Sequence, residues 1–267
     1  MRNIKSREGK RKPGRRPDTR AEGRASGENH WLYGIHAVAA AVDNPDRRPR
    51  RLVVSESGLD ALRQHLGVDW TTDAFGIEEK PRQELEALLP PGAVHQGVAL
   101  LVRRLPNAAL DKIVEGEGRS LILVLDQVTD PQNVGAILRS AEAFGAAALV
   151  MQDRHAPPES AAMAKAASGA LERVPVARVA NIAHALDQMK AHGYWSVGLA
   201  AEADTVLSDV DMGPRIALVL GAEGSGLRRL TAERCDVLAR LPMQGAVGSL
   251  NVSNAAAVAL YEFFRRP

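Results

Sequence analysis

The chain has 267 residues, 45% of them apolar and 25% charged, and a single cysteine. That is globular composition, enough for a sizeable core and for one or two domains. It excludes an internal disulfide framework and a cysteine-cluster metal site, and no run of about 18 uncharged apolar residues offers a membrane span.

Residues 1–27 carry ten Lys/Arg against three acids, although the whole chain sums to only +2, so the remainder is net negative. This arm reads as disordered and suited to neutralising nucleic-acid phosphates. It lacks the apolar stretch of a secretory signal, and a reducing cytoplasm is the expected setting. Residues 28–105 show a modest α/β pattern. Tyr33–Val42 predicts a helix, Arg50–Glu56 a strand, Gly58–Leu66 a helix, Pro81–Leu89 a helix opened by proline, and Gly97–Val102 a short buried strand. Residues 106–119 are punctuated by Gly and Pro and read as a linker.

Residues 120–267 alternate more regularly. Strands are expected at Leu121–Val128, Ala147–Asp153, Glu172–Val179, Tyr194–Ala201, Arg215–Gly221 and Val237–Met243. Helices are expected at Pro131–Phe144, Ser160–Ala167, Ile182–His192 and Asn254–Phe264. The alternation predicts a layered α/β domain with a mainly parallel sheet.

Three stretches carry chemistry. In LDQVTDPQNVGAILRSAEAFG (Leu125–Gly145), Asp130 is an N-cap and Pro131 takes the first helical position. Val134, Ile137, Leu138 and Ala141 recur at helical spacing and face a core. Gly135 and Arg139 share another stripe, where Gly135 leaves room beside Arg139 for a ligand or backbone. Asn133 lies in the first turn, among free N–H groups. Alone, this stretch also reads as an ordinary amphipathic helix.

In LVLGAEGSGL (Leu218–Leu227), a buried strand runs into Gly221, Gly224 and Gly226 around Glu223. The order G-x-x-G-x-G, with no G-K-[ST] after it, is neither the dinucleotide fingerprint nor a P-loop. A carboxylate amid three glycines at a strand end is a candidate site, with a plain Gly-rich turn as the alternative. In Leu241–Phe264, Ser249, Asn251, Ser253 and Asn254 crowd a helix N-terminus. One cap would suffice, so the surplus suggests contacts to a neutral or zwitterionic ligand. The helix that follows is apolar almost all round (Ala255, Ala256, Val258, Leu260, Phe263, Phe264), which predicts burial on several sides and a subunit interface. Cys235 has no partner motif and reads as structural, and the seven histidines show no zinc spacing.

Together these stretches resemble the SpoU (TrmH-type) branch of the SPOUT RNA 2′-O-ribose methyltransferases. The matching residues are Asn133-x-Gly135-x-x-x-Arg139, then Leu220-Gly221-x-Glu223-Gly224-x-Gly226, then Leu241-Pro242-Met243 and Ser249-Leu250-Asn251-Val252-Ser253, in the family's order. Lys165–Val176 also matches. Leu32–Val38 and His95–Val102 resemble the L30e-like RNA-binding domain of the rRNA-directed members, here residues 28–105 ahead of a catalytic domain at 120–267.

The resemblance implies a deep trefoil knot in the C-terminal half and a homodimer packed through it. It implies S-adenosyl-L-methionine held by Gly221, Gly226, Leu241, Met243 and Leu250, and a polar centre of Arg139, Asn133, Glu223, Ser249 and Asn251. The implied reaction is methylation of a ribose 2′-hydroxyl, of a guanosine in large-subunit (23S) rRNA. No metal and no membrane partner are implied, and DNA, lacking that hydroxyl, is not a substrate. The family assigns the proton-acceptor role to Arg139. Arginine stays protonated in proteins, so positioning of a phosphate is the alternative. A tRNA 2′-O-ribose methyltransferase and a non-catalytic RNA-binding or ribosome-assembly protein are the competing readings.

Overall fold

The computed structural model describes residues 29–72, 74–245 and 248–266. The expectation for the basic arm, residues 1–27, lies outside the described residues. The first unit comprises β1 (Asn29–Tyr33), α1 (Ile35–Asp43), β2 (Pro49–Val54), α2 (Glu56–Leu66), β3 (Ile77–Glu79), α3 (Arg82–Glu86) and β4 (Val98–Arg103). Its sheet has the order β1-β4-β2-β3, with β4 antiparallel to both neighbours and β3 parallel to β2.

Two expectations need correction here. Tyr33 belongs to a strand, and Gly34, at φ 90, turns the chain between β1 and α1. The helix expected over Pro81–Leu89 is confined to Arg82–Glu86; Pro90 and Pro91 follow closely, and the residue before a proline disfavours helical backbone.

The second unit comprises α4 (Leu110–Val114), β5 (Ser120–Asp126), α5 (Pro131–Ala143), β6 (Ala148–Gln152), α6 (Ala161–Ala167), β7 (Val176–Val179), α7 (Ile182–Ala191), β8 (Trp195–Leu199), β9 (Thr205–Val206), β10 (Arg215–Gly221), α8 (Arg229–Arg234), β11 (Val237–Arg240) and α9 (Val252–Phe264). The strands order as β7-β6-β5-β10-β8-β11-β9, and every pairing is parallel. Leu121 to Leu125 are all buried, as a strand covered on both faces must be. Helices α5, α6 and α9 pack on one face and α4 and α7 on the other. The strand expected from Glu172 begins only at Val176, because Ala170–Glu172 forms a 3-10 turn.

The stretch expected as a linker is built into the second unit. Leu110 and Val114 of α4 are buried in its core. Asn107 accepts from Arg178 N (2.5 Å) and donates to Arg178 O (3.2 Å), and Ala108 N donates to Val176 O (3.0 Å). These residues cover the open edge of β7, where unpaired backbone groups would otherwise invite aggregation.

Helix α5 follows its expected pattern. Asp130 accepts from Gln132 N at 2.9 Å, and Val134, Ile137, Leu138 and Ala141 are fully buried. Of the two approaches that Gly135 leaves room for, the structure shows the backbone one: a Cβ there would stand 2.3 Å from Met163 O and 2.7 Å from Ala166 Cβ, both on α6. Gly135 is a helix-packing residue. Gly135→Ala is expected to lower stability by about 1–3 kcal/mol through overpacking against a backbone carbonyl, despite alanine's better helix propensity. Chemical denaturation would read the change.

One hydrophobic core runs through both units, from Leu32, Val38 and Leu100 to Leu123, Leu138 and Met163. A buried ion cluster fastens the junction. The Arg47 side chain, fully buried, donates to Glu159 Oε1 (2.5 Å), Glu172 Oε1 (2.5 Å) and Oε2 (2.9 Å), and the Arg103 carbonyl (2.8 Å). His30 Nε2 lies 3.1 Å from Glu159, and Leu105 N donates to Glu159 Oε2 at 3.0 Å.

Candidate active site

Strands β5 and β10 are central neighbours, so their carboxyl ends, Asp126 and Gly221, lie side by side in register. In open parallel sheets, ligands sit outside such strand ends. After Gly221 the chain folds back on itself. Ala222 N donates to Gly226 O (3.1 Å) and Gly226 N to Ala222 O (2.9 Å). A Cβ on Gly221 would stand 2.1 Å from the Gly226 carbonyl carbon, so only glycine lets the turn close. Gly224 and Gly226 both have positive φ, which raises Glu223 at the exposed tip.

Asn251 caps α9 and ties three distant segments together. Its amide nitrogen donates to Asn133 Oδ1 at 3.1 Å and to Glu223 Oε1 at 3.2 Å. Its Oδ1 accepts from Ser253 N (2.9 Å) and Ser253 Oγ (2.6 Å). All the hydrogen-bonding capacity of the amide is thereby used, and its orientation is fixed.

Beside this cluster opens a pocket lined by Gly221, Glu223, Gly226, Leu241, Met243, Ser249 and Leu250. Its walls also include Leu199, Leu220, Ala239, Val252 and Ala255. The pocket thus offers an apolar slot for a flat group, backbone donors and acceptors from loops, and a carboxylate at the rim for a cation. Among the expected site residues, Arg139 stands apart. It is exposed on α5, nearly two turns beyond Asn133, and among the described residues it makes no hydrogen bond or ion pair.

Two features escaped sequence reasoning. The β8 end, Leu199–Ala201, lines the pocket although no motif marks it; only the strand order β10-β8-β11 brings it there. Asp126 is fully buried at the β5 end and accepts from Arg228 N (3.1 Å) and Nε (2.6 Å), pinning the chain that leaves the glycine turn. Nearby, burial, with Asp236 and Asp126, pushes the Cys235 thiol up to about 12, which suits a structural cysteine and not a nucleophile. Among the described residues, no group of three or more His, Cys, Asp or Glu could hold a metal, and no helix is long and apolar enough to cross a membrane.

A family model described as SpoU rRNA Methylase family matches residues 120–261, and one described as RNA 2'-O ribose methyltransferase substrate binding matches residues 31–108. A Coxiella burnetii protein named 23S rRNA (guanosine-2'-O-)-methyltransferase RlmB is 40% identical over 239 residues, covering 88% of this chain and 95% of its own. The Pseudomonas aeruginosa protein of the same name is 40% identical over 241 residues, covering 88% and 96%. Among solved structures, the SpoU methyltransferase AviRb from Streptomyces viridochromogenes in complex with the cofactor AdoMet superposes with a TM-score of 0.75 at 26% identity, covering 89% of this chain and 90% of that one.

Proposed function

Because this chain belongs to the SpoU rRNA methylase family, we propose that it transfers a methyl group from S-adenosylmethionine to the ribose 2′-hydroxyl of a guanosine in 23S rRNA. The observation that carries this reading is the convergence of Asn133, Glu223 and Asn251 at the mouth of an apolar, glycine-walled pocket. When bound, the cofactor supplies an electrophilic methyl group on a cationic sulfur. Leu241, Met243 and Leu250 would enclose its flat base, and the Gly221–Gly226 turn would approach it without side chains. The Glu223 carboxylate complements its positive charge.

A 2′-hydroxyl is a weak nucleophile and needs alignment and loss of its proton. Asn133, oriented through its carbonyl by Asn251, presents its amide N–H groups to a ribose oxygen, and Ser249 adds a hydroxyl. An arginine side chain stays protonated in proteins, so Arg139 is read here as a phosphate-binding group. Its guanidinium grips the phosphate next to the target ribose and lowers the hydroxyl's pKa, and a phosphate oxygen takes the proton.

A homodimer through the second unit belongs to the same reading. Val258, Tyr261 and Phe264 on α9 are 49%, 53% and 57% exposed. Phe144 joins them, with ring centroids 6.0 Å from Tyr261 and 5.7 Å from Phe264. A patch of this kind on a globular chain marks an interface. The trefoil knot and a cytoplasmic setting also belong to it. The knot is supported by the order of the elements: β11 pairs outside β8, whereas α9, the next element in the chain, packs on α5 and β10.

The test is transfer from labelled S-adenosylmethionine to unmodified 23S rRNA and, separately, to unmodified tRNA, with product nucleosides identified by mass. 2′-O-methylguanosine from the rRNA is expected. Label in tRNA alone would move the substrate to tRNA, and absence of both label and cofactor binding would leave an RNA-binding protein. Deleting residues 1–27 is expected to weaken rRNA binding and flatten its salt dependence, by about 0.7–0.9 in log–log slope for each phosphate the arm neutralises, with cofactor affinity unchanged.

A further inference from the structure

We infer that a track of unpaired arginines, crossing from the first unit over the junction to the edge of the seven-stranded sheet, carries the RNA backbone toward the candidate active site. The inference rests on the rRNA reading above. Arg48, Arg50, Arg104 and Arg154 are exposed, and among the described residues their side chains make no hydrogen bond or ion pair. Their neighbours do: Arg47 is buried between Glu159 and Glu172, and Arg51 pairs with Glu78 at 2.6 Å. The free cations stand out further because the chain beyond residue 27 is net negative.

Backbone contacts set these residues in order. Arg103 N donates to Arg48 O at 3.4 Å, which joins the end of β4 to the start of β2. Arg104 follows, and Leu105 N then anchors on Glu159 in the loop between β6 and α6. That loop also carries Arg154, and Arg178 donates to its Pro157 carbonyl at 2.6 Å. Arg178 pairs in register with Met151 near the carboxyl end of β6, on the sheet end that holds the candidate site. Burial, and the charge of Arg104 against the pull of Asp153 and Glu159, hold Arg178 below its ordinary value.

Three strand spacings separate β7 from β10, about 14 Å at ~4.8 Å each. Phosphates bound along the track would thus lead a strand to the end of β10 and fix how the RNA spans both units.

The test uses the full chain and a 23S rRNA transcript, with binding and methyl transfer measured separately across salt concentrations. The triple variant Arg50→Gln/Arg104→Gln/Arg154→Gln is expected to lower the slope of log affinity against log salt by about 2, at ~0.7 per neutralised phosphate of single-stranded RNA. KM for RNA should rise, while kcat at saturating RNA and cofactor affinity hold. The triple Arg→Lys variant should keep the wild-type slope, since charge is what the phosphates read. An unchanged slope in a Gln triple that melts like wild type would overturn the track, as would a fall in kcat with no change in slope. Absence of transfer by the unmodified chain overturns the rRNA reading instead, and the slope still reports on the track.

Discussion

Arg47→Ala is expected to destabilise the chain by about 3–5 kcal/mol, the cost of leaving buried charge without its partner. The arginine neutralises two carboxylates at once, and the Glu159 and Glu172 side chains are only 10% and 3% exposed. Removing it also takes away the Arg47 donor to the Arg103 carbonyl and loosens the packing of α1 on the 3-10 turn at Ala170–Glu172. Arg47→Met should recover little, because both acids remain. A triple change to Met with Glu159→Gln and Glu172→Gln should recover more. The pH dependence follows from Glu159. Burial pushes against its charge, but His30, Arg47 and the Leu105 amide prevail and hold it below its ordinary 4.5. A carboxyl lowered in the folded state adds stability above the unfolded value and loses it as pH falls through the folded one. Wild type should therefore lose stability as pH falls below about 4.5, and Arg47→Ala should show a shallower loss. Thermal melts from mildly alkaline to strongly acidic pH would decide, and equal acid slopes for both proteins would sink the account.

That cluster also shows what the sequence could not reveal. Arg47 stands 112 and 125 residues from its two partners, and nothing local to the RRPRR run marks one arginine as buried. Gly135 stays ambiguous in the sequence for the same reason. A glycine inside a helix announces a close approach, but whether ligand or backbone approaches is decided by α6, about thirty residues on. The stretch 106–119 reads as a linker because a helix as short as Leu110–Val114 carries too few turns to show a period. The candidate site is legible because its signals are local: glycines where a strand must fold back at Gly221, and surplus polar groups at the cap of α9. The pocket walls from β8 are not, since they arrive only through a strand order that places β10 and β11 on either side of it.

Arg139→Ala is expected to slow methyl transfer about 100- to 1000-fold, the cost typical of losing one charge-stabilising donor, and to leave cofactor affinity unchanged. The second half of that expectation comes from geometry, because Arg139 lies outside the pocket that Leu241, Met243 and Leu250 enclose. It makes no hydrogen bond or ion pair among the described residues, so its removal leaves no buried partner stranded and the fold should hold. By contrast, Asn251→Ala should damage both functions, since that amide orients Asn133 and Glu223 together. Arg139→Lys then separates the two roles open to the guanidinium. A planar fork that grips phosphate in two places is not replaced by a point charge. If Arg139 positions, the lysine variant should stay slow at every pH. If it accepts the proton, lysine should restore the rate with a displaced basic limb in the pH–rate profile. A single series of rates from about pH 6 to about pH 10 on the wild type and the two variants distinguishes these outcomes, and a flat, near-wild-type rate for Arg139→Ala would remove Arg139 from the chemistry altogether.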